Sequence, residues 1–317
     1  MNYIRITKEN IDKEHICCAM SGKQSVAKKE WLRQRFDDGL VFYRSEERGK
    51  CFIEYIPAEN AWVPIVAEGY LYINCLWVSG SMKGHGYSND LLEACICDAK
   101  AQGRKGLCIL CAEGRKREFL ADPKFLAYKG FRVADISDCG INLMYLSIEP
   151  TAQMPKFREC AKHPAIEDNG FVLYYTDQCP YTYYWVPRVQ EVAKEHGIPF
   201  KAIHITDKES AQNVPAPVTT YALFRDGQFL TQSIQSAIDE TGERSRKMVD
   251  VATDSNENIQ ENLQVMEELK NQSEQIAATN HEVTESMTRL QNKTKEVEEI
   301  AGMILNISNQ TNLLALN

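Results

Sequence analysis

The residues best placed to do chemistry lie between positions 72 and 99. A strand-like run, YINCLWV (72–78), leads into SGSMKGHGYSNDLLEACICDAKAQG, where Gly84 and Gly86 open a helical pattern with Leu91, Leu92, Cys95, Ile96 and Ala99 on one side. Glycines at a strand-to-helix turn let the backbone approach a ligand closely, and the helix start presents free N–H groups and a positive dipole end to an anion. The turn of Lys83, Gly84, His85, Gly86, Tyr87 and Ser88 is therefore a candidate pyrophosphate cradle. Cys179 is a second candidate, because it sits where a strand-like run gives way to a helical one and a helix N-terminus favours the thiolate. The C-x-x-C of Cys108 and Cys111 lies in an apolar run with no second pair of matching spacing, so it reads as core and no metal site is expected.

Three unlike regions must position these residues. Over 1–150, VAKKEWLRQRFDDG (26–39) has helical spacing and stops at a glycine, while LVFYRSEERGKCFIEYI and YLYINCLWV are rich in aromatic and β-branched residues. A mixed α/β layer follows. After a linker (151–167), residues 168–234 read strand, helix, strand, short helix and a hairpin through Arg225-Asp226-Gly227. From 235 to 317 the composition changes, and between Asp250 and Asn317 there is one glycine and no proline.

Composition excludes several classes. The 317 residues are 44% hydrophobic and 25% charged, enough for a sizeable core, with no apolar stretch near the roughly 20 residues a membrane helix needs. The start, MNYIRITKENIDKEH, lacks the basic and apolar regions of a secretory signal, so a cytoplasmic protein is expected. Eleven cysteines, an odd number scattered through apolar runs, suit reduced thiols. A net charge of −8 with no basic stripe argues against nucleic-acid binding.

The string CLWVSG…KGHGYSNDLLEA, followed by GLCILCAE, FLADPKFLAYKGF and INLMYLSIE, resembles the GNAT family of N-acetyltransferases across nearly all of 1–148. That resemblance implies acetyl-CoA as co-substrate, with the backbone of Leu76, Trp77 and Val78 holding the pantetheine arm and 83–88 holding the pyrophosphate. Ser81 departs from the Gln or Arg of the family pattern. An amine attacks a thioester only when neutral, so a base must take its proton and an acid must protonate the leaving thiolate. His85 and Glu113 are candidate bases by location. The usual acid, a tyrosine four residues before the Gly-Phe pair, is replaced by Leu126, which leaves Tyr128 as the substitute candidate.

Residues 168–234 resemble thioredoxin folds. CPYT (179–182) stands at the C-P-Y-C site with Thr182 in place of the second cysteine, and APV (216–218) stands at the cis-proline loop. Monothiol chemistry at Cys179, a partner such as Cys160, or no redox role all remain open. The whole of 1–234 is similar to the YoaP-like N-acetyltransferases, on FLADPKFLAYKGF, CPYTYYWVP, IPFKAIHIT and ESAQNVPAPVTTYALFRDGQF.

In the last region Leu269, Ile276, Val283, Leu290, Val297 and Ile304 recur every seven residues, with Met266, Ser273, Asn280, Met287, Thr294 and Ala301 beside them. Such a heptad specifies a coiled-coil helix that needs a partner, so self-association is expected. EEIAGMILNISNQTNLLALN closely resembles methyl-accepting chemotaxis proteins ahead of their hairpin tip, with Glu274 and Gln275 as the candidate methylation pair. The chemotaxis histidine kinase and coupling protein are partners only if a tip is present. Two readings follow: an N-acetyltransferase acting on an amine acceptor and fused to a receptor helix, or a soluble chemoreceptor whose GNAT-like domain senses a ligand without turnover.

Overall fold

The computed structural model describes residues 1–16, 24–113, 120–231 and 234–314. It forms two compact units, 1–240 and 241–317. In chain order the elements are β1 (Tyr3–Ile6), α1 (Gln24–Arg35), β2 (Val41–Ser45), β3 (Lys50–Pro57), β4 (Ile65–Val66) and β5 (Tyr70–Ser79). They continue with α2 (Tyr87–Ala101), β6 (Gly106–Ala112), α3 (Pro123–Tyr128), β7 (Arg132–Ile136), β8 (Ile141–Ser147), β9 (Lys156–Phe157) and α4 (Glu159–Lys162). Last come β10 (Phe171–Tyr175), α5 (Pro180–Glu195), β11 (Phe200–His204), α6 (Lys208–Gln212), β12 (Tyr221–Arg225), β13 (Gln228–Thr231) and α7 (Ile234–Leu314).

Among the described residues a seven-stranded sheet runs β1-β2-β3-β5-β6-β8-β7. Its pairings are antiparallel except β5 with β6. Strand side chains alternate between faces, and β3 shows the consequence. Phe52 and Ile56 join one core cluster, while Cys51, Ile53 and Tyr55 join another that includes Leu91, Leu92, Cys95 and Ala99 of α2.

The second sheet runs β11-β10-β12-β13, with β10 and β11 parallel and the remaining pairs antiparallel. It does not stand apart from the first. Val172, Val218, Ala222 and Phe224 belong to the same core cluster as Trp31, Phe52 and Trp62. Trp31 meets Trp62 edge to face at 5.8 Å, the Arg35 guanidinium lies 4.7 Å from the Trp62 ring, and Thr219 Oγ1 donates to the Trp62 carbonyl at 2.5 Å. Residues 151–167, read from sequence as a linker, contain β9 and α4. Phe157 and Ala161 are buried there, and β9 pairs with β4, so apolar side chains tie the segment down. Among the described residues no peptide bond is cis, so the bond before Pro217 is trans, unlike the cis-proline loop that the thioredoxin resemblance implies.

In α7, an 81-residue helix, the heptad residues are all exposed, Leu269 and Val283 at 54% and Leu290 at 67%. At about 1.5 Å per residue a helix of this length is roughly 120 Å long. No helix among the described residues is long and apolar enough to cross a membrane.

One core shared by both sheets should melt as one. All four tryptophans lie within 1–240, at 31, 62, 77 and 185, so their fluorescence reads this unit without contribution from α7. Phe224→Ala, which removes a fully buried ring packed edge-on against Tyr174 and Phe229, is expected to cost about 3–5 kcal/mol. In urea a single fluorescence transition should move to lower concentration; two separated transitions would show that the sheets fold independently.

Candidate active site

β5 leaves the sheet through a short 3-10 turn, Gly80–Met82, anchored by the buried Met82. Gly84 and Gly86 then take left-handed conformations, φ +84° and +79°, which L side chains rarely adopt. A Cβ at Gly84 would meet nothing within 4 Å, so open space rather than crowding surrounds the turn. Gly86 caps α2 without any side-chain hydrogen bond, which leaves the first-turn N–H groups and the positive dipole end facing outward. The imidazole of His85 is exposed and stacks on Tyr87 at 5.3 Å. This backbone suits a pyrophosphate.

β5 and β6 pair only at Tyr70–Tyr72 with Gly106–Cys108, although β5 continues to Ser79 and β6 to Ala112. Past Tyr72 the two strands diverge. β5 keeps its β3 partner, Leu76 opposite Ile53 and Val78 opposite Cys51, so its other edge faces the notch with backbone groups available to an extended ligand. The pairing of Tyr55 with Ile73 and Glu54 with Cys75 leaves Asn74 as an extra, bulged residue. The bulge resets the alternation, so that Cys75 and Trp77 face the core that Tyr70 and Tyr72 face.

On that face lies a cavity of about 260 Å³. Phe52, Tyr72 and Trp77 of the first sheet and Trp62 give it aromatic walls, and at its polar end the Lys28 ammonium meets the Glu54 carboxylate at 2.6 Å, both side chains 2% exposed. Asn74 Nδ2 donates to the other Glu54 oxygen at 2.8 Å, and Lys28 Nζ lies 4.4 Å from the Trp31 ring. Each Glu54 oxygen thus holds one donor, which favours a fixed rotamer and leaves further lone pairs. The remaining wall comes from the second sheet's region, through Gln178–Tyr181 and Val218–Thr220.

The structure gathers only part of what the sequence nominates. Trp77 and Cys179 line the cavity, and Leu76 lines the notch beside it. Tyr128, His85 and Glu113 do not line the cavity. Tyr128 is 82% exposed at the end of α3, beside the Lys129 ammonium, because Leu126 is the residue of that turn that points into the core. Cys179 is the N-cap of α5, and Thr182 is buried with its hydroxyl donating to the carbonyls of Thr176 at 2.8 Å and Cys179 at 2.7 Å. Cys108 and Cys111 are fully buried and belong to opposite core clusters; burial pushes the Cys108 thiol far up and Cys111 to about 11. Glu274 and Gln275 are exposed on α7.

The YoaP-like family profile matches residues 199–240. The uncharacterized N-acetyltransferase YoaP of Bacillus subtilis (strain 168) is 45% identical over 240 residues, covering 74% of this chain and 95% of that protein. This chain belongs to the YoaP-like family. Solved structures that it resembles include a ribosomal-protein-alanine N-acetyltransferase from Brucella melitensis, at 14% identity and TM-score 0.34 over 47% of this chain and 100% of that one. Another is aminoglycoside 6'-acetyltransferase type Ii, at 12% identity and TM-score 0.36 over 48% of this chain and 100% of that one.

In this YoaP-like chain the sequence reading missed Lys28, Glu54 and Asn74. The signal was present: CFIEYI sets a carboxylate in phase with Phe52 and Ile56, and Lys28 shares a helix face with Trp31 and Leu32. The thiol burial gives a direct check. Native protein treated with iodoacetamide at pH 8 is expected to label at the exposed Cys97 and not at Cys108 or Cys111, as read by peptide mass spectrometry. Equal labelling of all three would contradict this core.

Proposed function

We propose that this chain is an acetyl-CoA-dependent N-acetyltransferase that acetylates an amine held in the cavity over Glu54. The observation that carries the reading is the convergence of the open edge of β5, the left-handed glycine turn and a buried carboxylate on one strand system. When bound, acetyl-CoA supplies a thioester whose carbonyl carbon the amine nitrogen attacks as the C–S bond breaks.

The protein's own groups prepare that attack. Leu76–Val78 offer backbone to the pantetheine arm, and Lys83–Ser88 offer N–H groups and the α2 dipole to the pyrophosphate. Glu54 accepts the ammonium proton of the arriving acceptor at whichever oxygen lone pair faces it. Lys28 and Asn74 hold the carboxylate in place, and the Lys28 ammonium beside it disfavours a second ammonium at the same spot. Both effects favour the neutral, nucleophilic amine.

Two finer readings accompany this one. The order β10-α5-β11-α6-β12-β13, with Cys179 at the start of α5, supports a thioredoxin-like unit, in which Thr182 fills the second cysteine's place and closes the dithiol cycle. The exposed heptads of α7 and its resemblance to chemoreceptor sequences support a signalling-type helix that associates with a copy of itself. No observation favours a ligand sensor over a catalyst, whereas the buried carboxylate suits proton transfer.

Gly86→Val is expected to weaken acetyl-CoA binding at least tenfold by calorimetry, because a β-branched residue resists φ near +79° and obstructs the phosphate approach. Glu54→Gln should retain acetyl-CoA affinity while kcat/KM for the amine falls about 10²–10⁴-fold; full activity in that variant would remove Glu54 as the base. For the tail, sedimentation of the full chain against an Ile276→Asp, Val283→Asp, Leu290→Asp variant should show association only in the parent. A monomeric parent at high micromolar concentration would overturn the pairing of α7.

A further inference from the structure

Resting on the acetyltransferase reading, we infer that the acceptor is a small monoamine with a flat apolar body, and that the second sheet's two loops select it. Phe52, Trp62, Tyr72 and Trp77 line one part of the cavity, and Tyr181 adds a ring from the start of α5. Rings offer broad apolar contact, and each aromatic pair adds about 0.5–1.5 kcal/mol beyond area burial. The polar groups converge instead on Glu54, so the amine nitrogen belongs there and the body belongs against the rings.

Charge narrows the class further. Among the described residues of the lining, the acidic and basic side chains are Lys28, Lys50 and Glu54. Among the described lining residues there is one carboxylate, already paired, so a polyamine would bring further ammonium groups to residues that offer no second anion.

The second sheet decides access. Gln178–Tyr181 follow β10 and Val218–Thr220 precede β12, two loops far apart in sequence that complete the same wall. The second of these loops is tied to the first sheet's region by the Thr219 bond to the Trp62 carbonyl, and α6 ahead of it by Gln212 Nε2 donating to the Ala61 carbonyl at 2.9 Å. A lysine side chain or N-terminus of a protein would have to bring its flanking chain past this wall. A free small amine would not.

The test uses the full chain and reads tryptophan fluorescence, to which the cavity residues Trp62 and Trp77 contribute, during titration with 2-phenylethylamine, spermidine and a lysine-containing tetrapeptide. The expected result is saturable quenching by 2-phenylethylamine, with the other two at least tenfold weaker. Tyr181→Ala and Thr220→Arg should each weaken 2-phenylethylamine at least tenfold, with acetyl-CoA affinity by calorimetry changed less than twofold and the urea midpoint retained. CoA release should follow the same order of amines. Equal or tighter binding of spermidine or the peptide, or unchanged amine affinity in both loop variants, overturns the inference. The activity itself has a separate signature: intact, loop-dependent amine binding without acetyl-CoA binding would support the amine site and remove the acetyltransferase reading.

Discussion

An ammonium and a carboxylate 2.6 Å apart, each side chain 2% exposed, constrain everything around them. Removing both charges from water costs several kcal/mol per ion, and their attraction repays this only when geometry is good and the remaining polar positions are used. Lys28 comes from α1, Glu54 from β3 and the supporting amide of Asn74 from the bulge in β5, so three elements must hold their relative positions for the pair to survive. The Trp31 face beneath the ammonium adds a cation–π contact. Such a pair is an uneconomical way to stabilise a core, which is why its place on a cavity wall points to chemistry rather than to packing.

The same constraint explains the bulge and the strand divergence. Without the extra residue at Asn74, the alternation along β5 would turn Trp77 toward α2 and away from the cavity. Without the divergence after Tyr72, β6 would occupy the backbone edge of β5 and no extended ligand could pair there. A local irregularity and an abandoned ladder, each costly in hydrogen bonds, thus lie within a few residues of the buried pair. Irregularities of this kind concentrate where a sheet carries a site.

The second sheet acquires a role from this geometry. Its Trp62 contacts are core contacts, and its two loops stand where a cavity would otherwise open to solvent. Cys179 reaches the same wall as the N-cap of α5, which joins the residue most suggestive of thiol chemistry to the residue most suggestive of proton transfer in a single cavity. The buried Thr182 hydroxyl, bonded to two carbonyls, gives that helix start a satisfied, non-redox support.

Much was legible from local pattern. The glycine turn, the apolar face of α2, the strand rich in aromatics at 70–78, the core character of Cys108 and Cys111 and the N-cap position of Cys179 all follow from periodicity, turn chemistry and composition, which act over a few residues. The heptads of α7 are of the same kind, since a seven-residue repeat names its own seam. What local pattern could not supply was which side chains meet. Lys28 and Glu54 are 26 residues apart, and Thr219 lies 157 residues from Trp62. His85 stands within the glycine motif and Tyr128 two residues before Gly130, yet neither they nor Glu113 line the cavity in space. Only the packed sheets decided that Glu54 lines a cavity and that Phe157 and Ala161 of residues 151–167 pack into the core, because burial, unlike periodicity, is a property of the whole arrangement.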